Sequence, residues 1–357
     1  MSNIRTIKFR IKDSGKSAIL SKMSSDVNFV WNYCNDVTRR RWKESRKYTS
    51  KFDLQKMIKG SSKELSINAQ TIQAVAYEVV LRIQKAKKQI RFRSRKKSLP
   101  WIPFQGQTIK FVDDKILYNG SVFRSWKSRE LPGKIKMGSF TCDTRGRWYV
   151  NFVCADTSEL FCGQGEVGID PGLITTATTS SGEKLKAKSF NRWEKKLAMA
   201  QRAKKKKLTK TIHAKIKNSR KDLIEKFTTK IARENSLVVV GNLSPKAMIK
   251  TRFAKSAYDN GIATLKTRLS HKVKVHGGKY LVVPENYTSR TCSHCGVGWL
   301  FPKGLKSLHI REYECPGCGV VADRDVNAAR NILHIGRDAL ATNGLGILTA
   351  KAAERTS

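Results

Sequence analysis

Two pairs of cysteines constrain the fold of this chain more than any other feature. Cys292-Ser-His-Cys295 and Cys315-Pro-Gly-Cys318 are separated by 19 residues. Two residues between thiolates let both sulfurs of a tight turn face one ion, so the four cysteines predict a closed, structural zinc site. A glycine follows each pair, where a turn can need a positive φ. Two disulfides or a redox pair are the alternative, which the lack of a secretory signal disfavours.

The other cysteines and the histidine of the first pair carry weaker signals. Cys34, Cys142, Cys154 and Cys162 are scattered along the chain, and we expect them to be small buried apolar residues. His294 stands alone between two of the zinc-site cysteines. We expect it beside the ion or in solvent rather than among the ligands.

The charge of the chain restricts its partners. Its 357 residues include 71 Lys and Arg against 28 Asp and Glu, a formal net charge of +43 at pH 7. This charge predicts a polyanionic partner, with nucleic acid favoured over an anionic membrane surface and over a basic face kept for solubility. No window approaches about 18 consecutive apolar residues and the N-terminus lacks an apolar segment, so we expect a cytoplasmic protein without a membrane partner.

The N-terminal half predicts a β-rich module interrupted by helices. Residues 4–12 alternate as a strand, and short alternating runs over 99–160 predict a small antiparallel barrel or sheet that this strand joins. Between them, Ser25-Asp26 predicts the start of a helix that ends near Arg39-Arg40-Arg41, and a second helix begins near Asn68.

Three basic runs are candidates for nucleic-acid contacts. Residues 85–97 are dense in Lys and Arg around Phe92, which favours a nucleic-acid groove over a solvated helix face. Residues 204–207 are four consecutive lysines in a helical stretch, and an arginine triplet closes the first helix. The candidates are Arg39, Arg40, Arg41, Lys87, Lys88, Arg91, Arg93, Arg95, Lys204, Lys205, Lys206 and Lys207.

The C-terminal half predicts a mixed sheet. A strand from Val167 reaches Asp170, bends at Pro171-Gly172 and is followed by two further strands. After the basic helical stretch come an apolar strand at 237–240, a helix near 253–275 and a strand at 280–283. Antiparallel strands followed by a helix and buried parallel strands are typical of a ribonuclease-H-like α/β domain.

Two acidic residues stand out. Asp170 lies in a buried-looking strand beside glycines that would admit a close ligand, and Asp325 lies at a helix N-terminus. Simpler interpretations are an Asp170 paired with a lysine beside the turn and an Asp325 that caps its helix. Cleavage with two metal ions needs several carboxylates, but the end of the apolar strand carries Gly241.

Several segments together resemble one family. They are Gly168-Ile-Asp170-Pro-Gly, Val240-Gly-Asn-Leu243, Tyr287-Thr-Ser289-Arg-Thr-Cys292-Ser-His-Cys295-Gly, Cys315-Pro-Gly-Cys318-Gly and Asp323-Arg-Asp325-Val-Asn-Ala-Ala. In this order they resemble the TnpB family of transposon-encoded RNA-guided nucleases, relatives of type V CRISPR effectors. The resemblance covers nearly the whole chain.

The resemblance implies a multi-domain α/β fold with a β-barrel. A wedge β-barrel domain would comprise 1–20 and 98–163, with a helical recognition insertion at 21–97. A RuvC-like, ribonuclease-H-type domain would comprise 164–288 and 321–345, with a zinc ribbon inserted at 289–320. Residues 346–357 would form a C-terminal tail.

The resemblance also implies an Asp-Glu-Asp active site, from which this chain departs. Asp170 and Asp325 match the first and last positions, whereas Gly241 replaces the Glu. Loss of one metal anchor predicts that the two aspartates are vestigial, that Mg²⁺ binds weakly or not at all, and that the chain is not an enzyme.

The functional expectation follows from that loss. The chain is most similar to the nuclease-dead TnpB-like repressors (TldR), which implies a guide RNA, a double-stranded DNA target beside a short duplex motif, transcriptional repression and a nucleoid-associated prokaryotic protein. The main alternative is an active RNA-guided DNA endonuclease with a displaced carboxylate, for which Glu285 and Glu234 are nearest in sequence to the strand ends. A relict product and a DNA-binding protein without RNA are further alternatives, although no dimeric helix-turn-helix module is visible. The sequence leaves the oligomeric state open.

Overall fold

The computed structural model of the chain describes residues 3–86, 89–156, 160–187, 191–243, 260–298 and 310–342. The chain divides into two compact units, Met1–Ser158 and Glu159–Ser357. Among the described residues, none of the helices is both long enough and apolar enough to cross a membrane.

The first unit is built on a nearly closed antiparallel sheet of seven strands. Strand β1 (Asn3–Ile11) pairs with two later strands, Trp148–Asp156 and Ser121–Trp126. This pairing confirms that the N-terminal strand joins the later ones. The others are β2 (Trp101–Gln105), β3 (Ile109–Val112), β4 (Lys115–Tyr118), β5 (Ser121–Trp126), β6 (Ile135–Cys142) and β7 (Trp148–Asp156), in the order β2-β6-β7-β1-β5-β4-β3. Alternate residues of β7 are buried, as expected for a sheet with one face on a core.

Three helices, α1 (Ser17–Ser45), α2 (Lys51–Met57) and α3 (Ala69–Ala86), complete this unit. The predicted start of α1 at Ser25-Asp26 is wrong. Ser25 lies inside the helix and donates to the Ser21 carbonyl, while Asp26 accepts a 2.8 Å bond from the Ser66 N–H. These side chains find partners within and across the helices, so they do not mark an end. The predicted start of α3 is confirmed, since Asn68 accepts from the N–H of Thr71.

The second unit contains a five-stranded mixed sheet in the order β10-β9-β8-β11-β12. Strands β8 (Gly165–Asp170), β9 (Ala177–Thr179) and β10 (Lys184–Leu185) run antiparallel to one another, as predicted. Strands β11 (Asn235–Gly241) and β12 (Lys279–Val283) continue the sheet parallel to β8. The carboxyl ends of β8, β11 and β12 therefore meet at one edge.

Both faces of β11 are covered, which explains its uninterrupted apolar sequence. One face packs on α5 (Lys206–Glu234) and α6 (Ile262–Val275), where Val238 and Val240 meet residues such as Phe227 and Leu265. The other face packs on α7 (Arg324–Thr342), where Leu237 and Val239 join the core of that helix. The helix expected near 253–275 thus runs from Ile262 among the described residues.

Glycines let α7 lie directly on the sheet. A Cβ at Gly336 would come within 2.4 Å of a Val239 methyl group, and Gly168 is in comparable contact with the helix backbone. The sequence predicts that the glycines beside Asp170 leave room for a ligand. At Gly168 the missing side chain instead leaves room for the backbone of α7.

The basic helical stretch consists of two helices. A further helix, α4 (Asn191–Arg202), is separated from α5 by a corner at which Lys204 has a φ of 50°. The four lysines at 204–207 are exposed and surround this corner.

Candidate functional site

A carboxylate cluster forms at the shared carboxyl edge of β8, β11 and β12. Asp170 is the last residue of β8, and Gly241 is the last residue of β11. Gly241 is paired with Val283, so Glu285 lies just beyond the matching end of β12. Carboxyl ends of parallel strands are the usual place for ligand sites in open α/β sheets.

Glu285 fills the space beside Gly241. A Cβ built on Gly241 would lie 2.6 Å from Oε2 of Glu285, which is closer than real side chains approach. Oε2 is buried and has no hydrogen-bond partner among the described residues, whereas the backbone of Leu243 hydrogen-bonds the same carboxylate. The space that a side chain at position 241 would fill is therefore occupied by the carboxylate of Glu285, which follows β12.

Asp325 reaches the same cluster from the first turn of α7. The simpler interpretation that it caps the helix is wrong, because Asp323 accepts from the N–H groups of Asp325 and Val326. Asp325 is thereby free to face Asp170, whose pKa it influences. Its other neighbour is Arg311, whose guanidinium lies 3.1 Å from Oδ1.

The charged form of the two carboxyl groups at the strand ends is disfavoured. Burial, together with the charges of Glu285 and Asp325, raises the pKa of Asp170 well above its ordinary value, and Arg324 only partly opposes this. Burial likewise raises the pKa of Glu285, against the effect of Lys266 and of the Leu243 N–H. Among the described residues no ion pair joins Asp170 to a lysine, so the lysine-paired interpretation of Asp170 is not supported.

The chemistry of this donor set suits a divalent cation. Asp170 is influenced electrostatically by both Glu285 and Asp325, and one buried oxygen of Glu285 lacks a partner, which is costly without a cation or proton nearby. Among the described residues, these carboxylate oxygens do not all lie within 4.8 Å of one another, as the sulfurs of the four paired cysteines do. Hard oxygen ligands of this kind suit Mg²⁺ or Mn²⁺. Glu234, the other carboxylate considered from sequence, ends α5 next to the opposite end of β11 and is remote from the cluster.

The four paired cysteines form a second site. Their sulfurs lie within 4.8 Å of one another, with 3.8 Å between Cys292 and Cys318 and 3.6 Å between Cys295 and Cys315. Zn–S bonds of about 2.3 Å in a tetrahedron give sulfur separations of about 3.8 Å. The residues therefore fit one metal ion.

The turns of this site have the predicted local form. Gly296 and Gly319 have φ values of 77° and 69°, in the left-handed region that favours glycine. His294 is exposed, which agrees with the expectation that it faces solvent. Burial alone would raise the pKa of the Cys292 thiol, but hydrogen bonds from the backbone of Cys295 and His294 and from nearby thiols lower it to about 6.

Helix α7 joins the cysteine site to the carboxylate cluster. The buried Asn327 donates to the carbonyls of Thr288 and Thr291 and accepts from the Ser293 N–H. Asn331, one turn later, donates to the same two carbonyls at 2.7 Å. The segment between Glu285 and the first cysteine pair is thus fixed to the helix that carries Asp325.

The basic candidates fall into different environments. Arg39 donates to the Ile90 carbonyl and stacks on Phe92, and Arg93 is held by Asn28 and the Leu99 carbonyl. Arg40 and Arg41 form ion pairs with acidic neighbours. Exposed candidates are Arg91, Arg95, Lys204, Lys205, Lys206 and Lys207, while Lys87 and Lys88 lie outside the described residues.

Sequence reasoning missed three residues at the site. Arg311, Lys266 and Asn327 come from separate segments, and only Asn327 lies in one of the motifs. Its position two residues after Asp325 was a usable signal. Neither basic residue has a spacing that would indicate its role.

Comparison with known proteins gives the family context. Residues 263–332 match the model of the Cas12f1-like TNB domain, and residues 158–252 match the OrfB_IS605 model, described as a probable transposase. A protein of Streptomyces pristinaespiralis named as an RNA-guided DNA endonuclease is 28% identical over 99% of this chain and 94% of its own length. InsQ of Escherichia coli K12, named in the same way, is 28% identical over 60% of each chain.

Two further similarities are to a viral protein and to a solved structure. The TnpB-like protein L79 of Acanthamoeba polyphaga mimivirus is 29% identical over 54% of this chain and 42% of its own. A cryo-EM structure of a Cas12f1–sgRNA–target DNA complex is 17% identical, covers 93% of this chain and 99% of its own, and has a TM-score of 0.39. The two family models and the curated relatives thus show similarity of this chain to Cas12f1-like and TnpB-like proteins and to proteins named as RNA-guided DNA endonucleases.

Proposed function

We propose that this chain is an RNA-guided DNA endonuclease whose third carboxylate is supplied by Glu285 rather than by position 241. The observation that carries the proposal is the Oε2 atom of Glu285, which lies 2.6 Å from the place of a Gly241 Cβ. The names of the relatives support the reaction class, and the sheet order β10-β9-β8-β11-β12 is consistent with a ribonuclease-H-like, RuvC-type domain.

In this proposal Asp170, Glu285 and Asp325 hold divalent cations at the carboxyl edge of the sheet. Such cations activate water and stabilise the leaving oxygen in phosphodiester cleavage. The protein contributes the geometry: β8 and β12 fix two carboxylates, and α7 brings the third through its contact with Gly168. Arg311 offsets the charge of Asp325 until a cation is bound.

The proposed partners are a guide RNA and a double-stranded DNA target. Exposed Lys204–Lys207 on the α4–α5 corner would contact phosphates, and base pairing with the guide would select the target. The cysteine site would hold one structural Zn²⁺. The proposed location is prokaryotic and nucleoid-associated, where such a DNA target would lie.

A nuclease-deficient, RNA-guided DNA-binding protein is the second candidate. It is favoured by Gly241 itself and by the Arg311–Asp325 ion pair, which occupies a vestigial carboxylate. Such a protein would occupy a guide-matched site beside a short duplex motif and repress transcription, as TldR-type repressors do. Mg²⁺ binding would then be weak or absent.

One experiment separates the two candidates. The protein is purified with its RNA, and cleavage of a DNA matched to the guide portion of that RNA is measured in Mg²⁺ and in Mn²⁺. We expect the native protein and Glu234→Gln to cut, and Glu285→Gln to bind the target without cutting. Target binding without cleavage by the native protein in excess metal would overturn the endonuclease proposal in favour of the repressor.

A further inference from the structure

A lysine is held beside the carboxylate cluster. Lys266, on α6, donates from Nζ to the Leu243 carbonyl at 2.8 Å. Burial lowers the pKa of Lys266 to about 8, while the charge of Glu285 acts in the opposite direction. Burying a charged amine costs free energy, so we expect Lys266 to have a role that offsets this cost.

The packing of α6 fixes where this amine lies. Leu265, Leu269 and Val273 are fully buried and hold one face of the helix in the core against α5 and the sheet. Lys266 follows Leu265 directly, so its position is set by core packing. Its half-buried side chain ends at the Gly241–Leu243 segment, where β11 stops.

The Gly241–Leu243 segment contacts both Lys266 and Glu285. The Leu243 carbonyl accepts from Lys266, and Oε2 of Glu285 lies 2.6 Å from the place of a Gly241 Cβ. The Leu243 backbone also hydrogen-bonds the Glu285 carboxylate. Resting on the proposed function, we propose that Lys266 is a positioning residue: it fixes the Gly241–Leu243 segment, and that segment holds Glu285 in the carboxylate cluster. The Gly241–Leu243 segment, which has no carboxylate at position 241, thereby supports the Glu285 carboxylate that takes its place.

The backbone of Glu285 is fixed independently. Its carbonyl accepts from the N–H and Oγ1 of Thr288, at 3.3 and 2.9 Å. The Thr288 carbonyl is in turn bonded by Asn327 and Asn331 of α7. These bonds do not fix the side chain of Glu285, whose orientation is limited by the segment that Lys266 supports.

A purely electrostatic role for Lys266 makes the opposite prediction. A positive charge near the cluster repels cations, so its removal would strengthen metal binding. Loss of a positioning contact weakens binding, typically by 10- to 100-fold for residues that orient metal ligands. The sign of the change therefore separates the two roles.

The test is a double-mutant cycle on the zinc-loaded full chain, with Mn²⁺ affinity measured by calorimetry. Lys266→Met removes the donor but keeps the length of the side chain, and Lys266→Arg keeps a donor. Lys274→Met is the matched control, because Lys274 is exposed on the same helix. Each change is made in the native chain and in the Glu285→Gln background, and melting temperature is recorded.

We expect Lys266→Met to weaken Mn²⁺ binding about 10-fold in the native chain and to change it less than about 2-fold in the Glu285→Gln background. Lys266→Arg should recover most of the affinity, and Lys274→Met should leave it unchanged. Tighter binding, no change, or equal weakening in both backgrounds would each overturn the positioning role.

Failure of the proposed function has a different signature. If Glu285→Gln alone leaves Mn²⁺ affinity unchanged, Glu285 is not a metal ligand, and both proposals are overturned. If Glu285→Gln weakens binding but Lys266→Met does not, only the role of Lys266 is overturned.

Discussion

Gly168 and Ala329 meet backbone to backbone: a Cβ on Gly168 would lie 2.0 Å from the Ala329 carbonyl oxygen and 2.8 Å from the Leu333 nitrogen. This contact seats α7 on β8. It therefore sets the separation of Asp170, two residues after Gly168, from Asp325 in the first turn of the helix.

The contact predicts a large effect of one methyl group. Gly168→Ala should lower the free energy of unfolding by at least about 2 kcal/mol, because two backbones would have to separate. Gly298→Ala is the control, since a Cβ there meets no atom within 4 Å. Urea denaturation of both variants measures the difference, and equal stabilities would show that α7 moves freely on the sheet.

Position 241 should not accept a carboxylate in the native background. Gly241→Glu places a Cβ 2.6 Å from Oε2 of Glu285 and 3.1 Å from Ile332, and it adds charge to a crowded cluster. We expect a loss of about 1–3 kcal/mol in stability and no gain in cleavage. Combination with Glu285→Gly should relieve the crowding. Full stability of the single variant would mean that Glu285 moves aside without cost.

The cysteine site should contain one zinc ion per chain. Cys315→Ser should abolish zinc retention and loosen the described parts of 289–320, because two of the ligands, Cys292 and Cys315, also form the small buried core of that segment with Tyr313. Cys162→Ser, outside the site, should keep the metal. Elemental analysis and hydrogen exchange measure both effects. Zinc-free native protein with oxidised thiols would contradict the site.

A half-buried amine links α5 to α6. Lys272 bonds the carboxylate of Glu225 at 2.7 Å, the Glu225 carbonyl at 2.8 Å, and the hydroxyls of Thr228 and Thr229 at 2.9 and 2.7 Å. Lys272→Met should cost about 1–3 kcal/mol because these four acceptors lose their donor. Lys274→Met, on the same helix but exposed, should cost little.

The loss of stability caused by Lys272→Met should depend on pH. Burial alone would raise the pKa of Glu225, but the bond to Lys272 and nearby positive charges outweigh it and lower the pKa. A folded pKa below the unfolded one stabilises the fold above the unfolded value, and the contribution is lost as pH falls through the folded value. Burial also lowers the pKa of Lys272, so we assign the acid-side change to Glu225. The Lys272→Met difference should shrink between about pH 5 and pH 3, and a constant difference would exclude the ion pair.

The exposed lysines at the α4–α5 corner should bind phosphates. Lys205→Glu with Lys207→Glu should weaken RNA retention and reduce the slope of log affinity against log salt by about 1.4, at about 0.7 for each lost contact. Lys59→Glu with Lys63→Glu makes the same charge change on another exposed surface. If both pairs of substitutions alter the slope equally, the corner has no special role.

The sequence predicted the secondary structure and the cysteine site better than it predicted side-chain contacts between distant parts of the chain. Periodicity predicted most strands of the two larger sheets, although it singled out neither Trp101–Gln105 nor Ser121–Trp126, and the cysteine spacing predicted the metal site, because these signals are local. The start of α1 was misplaced because Ser25 and Asp26 cap well in isolation yet bond to Ser21 and Ser66 in the fold. Glu285 was named only as an alternative, since its proximity to Gly241 depends on pairing between strands more than 40 residues apart in sequence.

The contact between position 241 and the carboxylate of Glu285 links the two strand ends. Adjacent parallel strands lie about 4.8 Å apart, so a carboxylate on either strand end can reach the same point at the edge of the sheet. A Cβ at position 241 would lie 2.6 Å from Oε2 of Glu285, so a side chain there would displace the flexible end of Glu285. The residue at position 241 therefore does not by itself reveal whether this edge carries a third carboxylate, because position 285 can fill the same space.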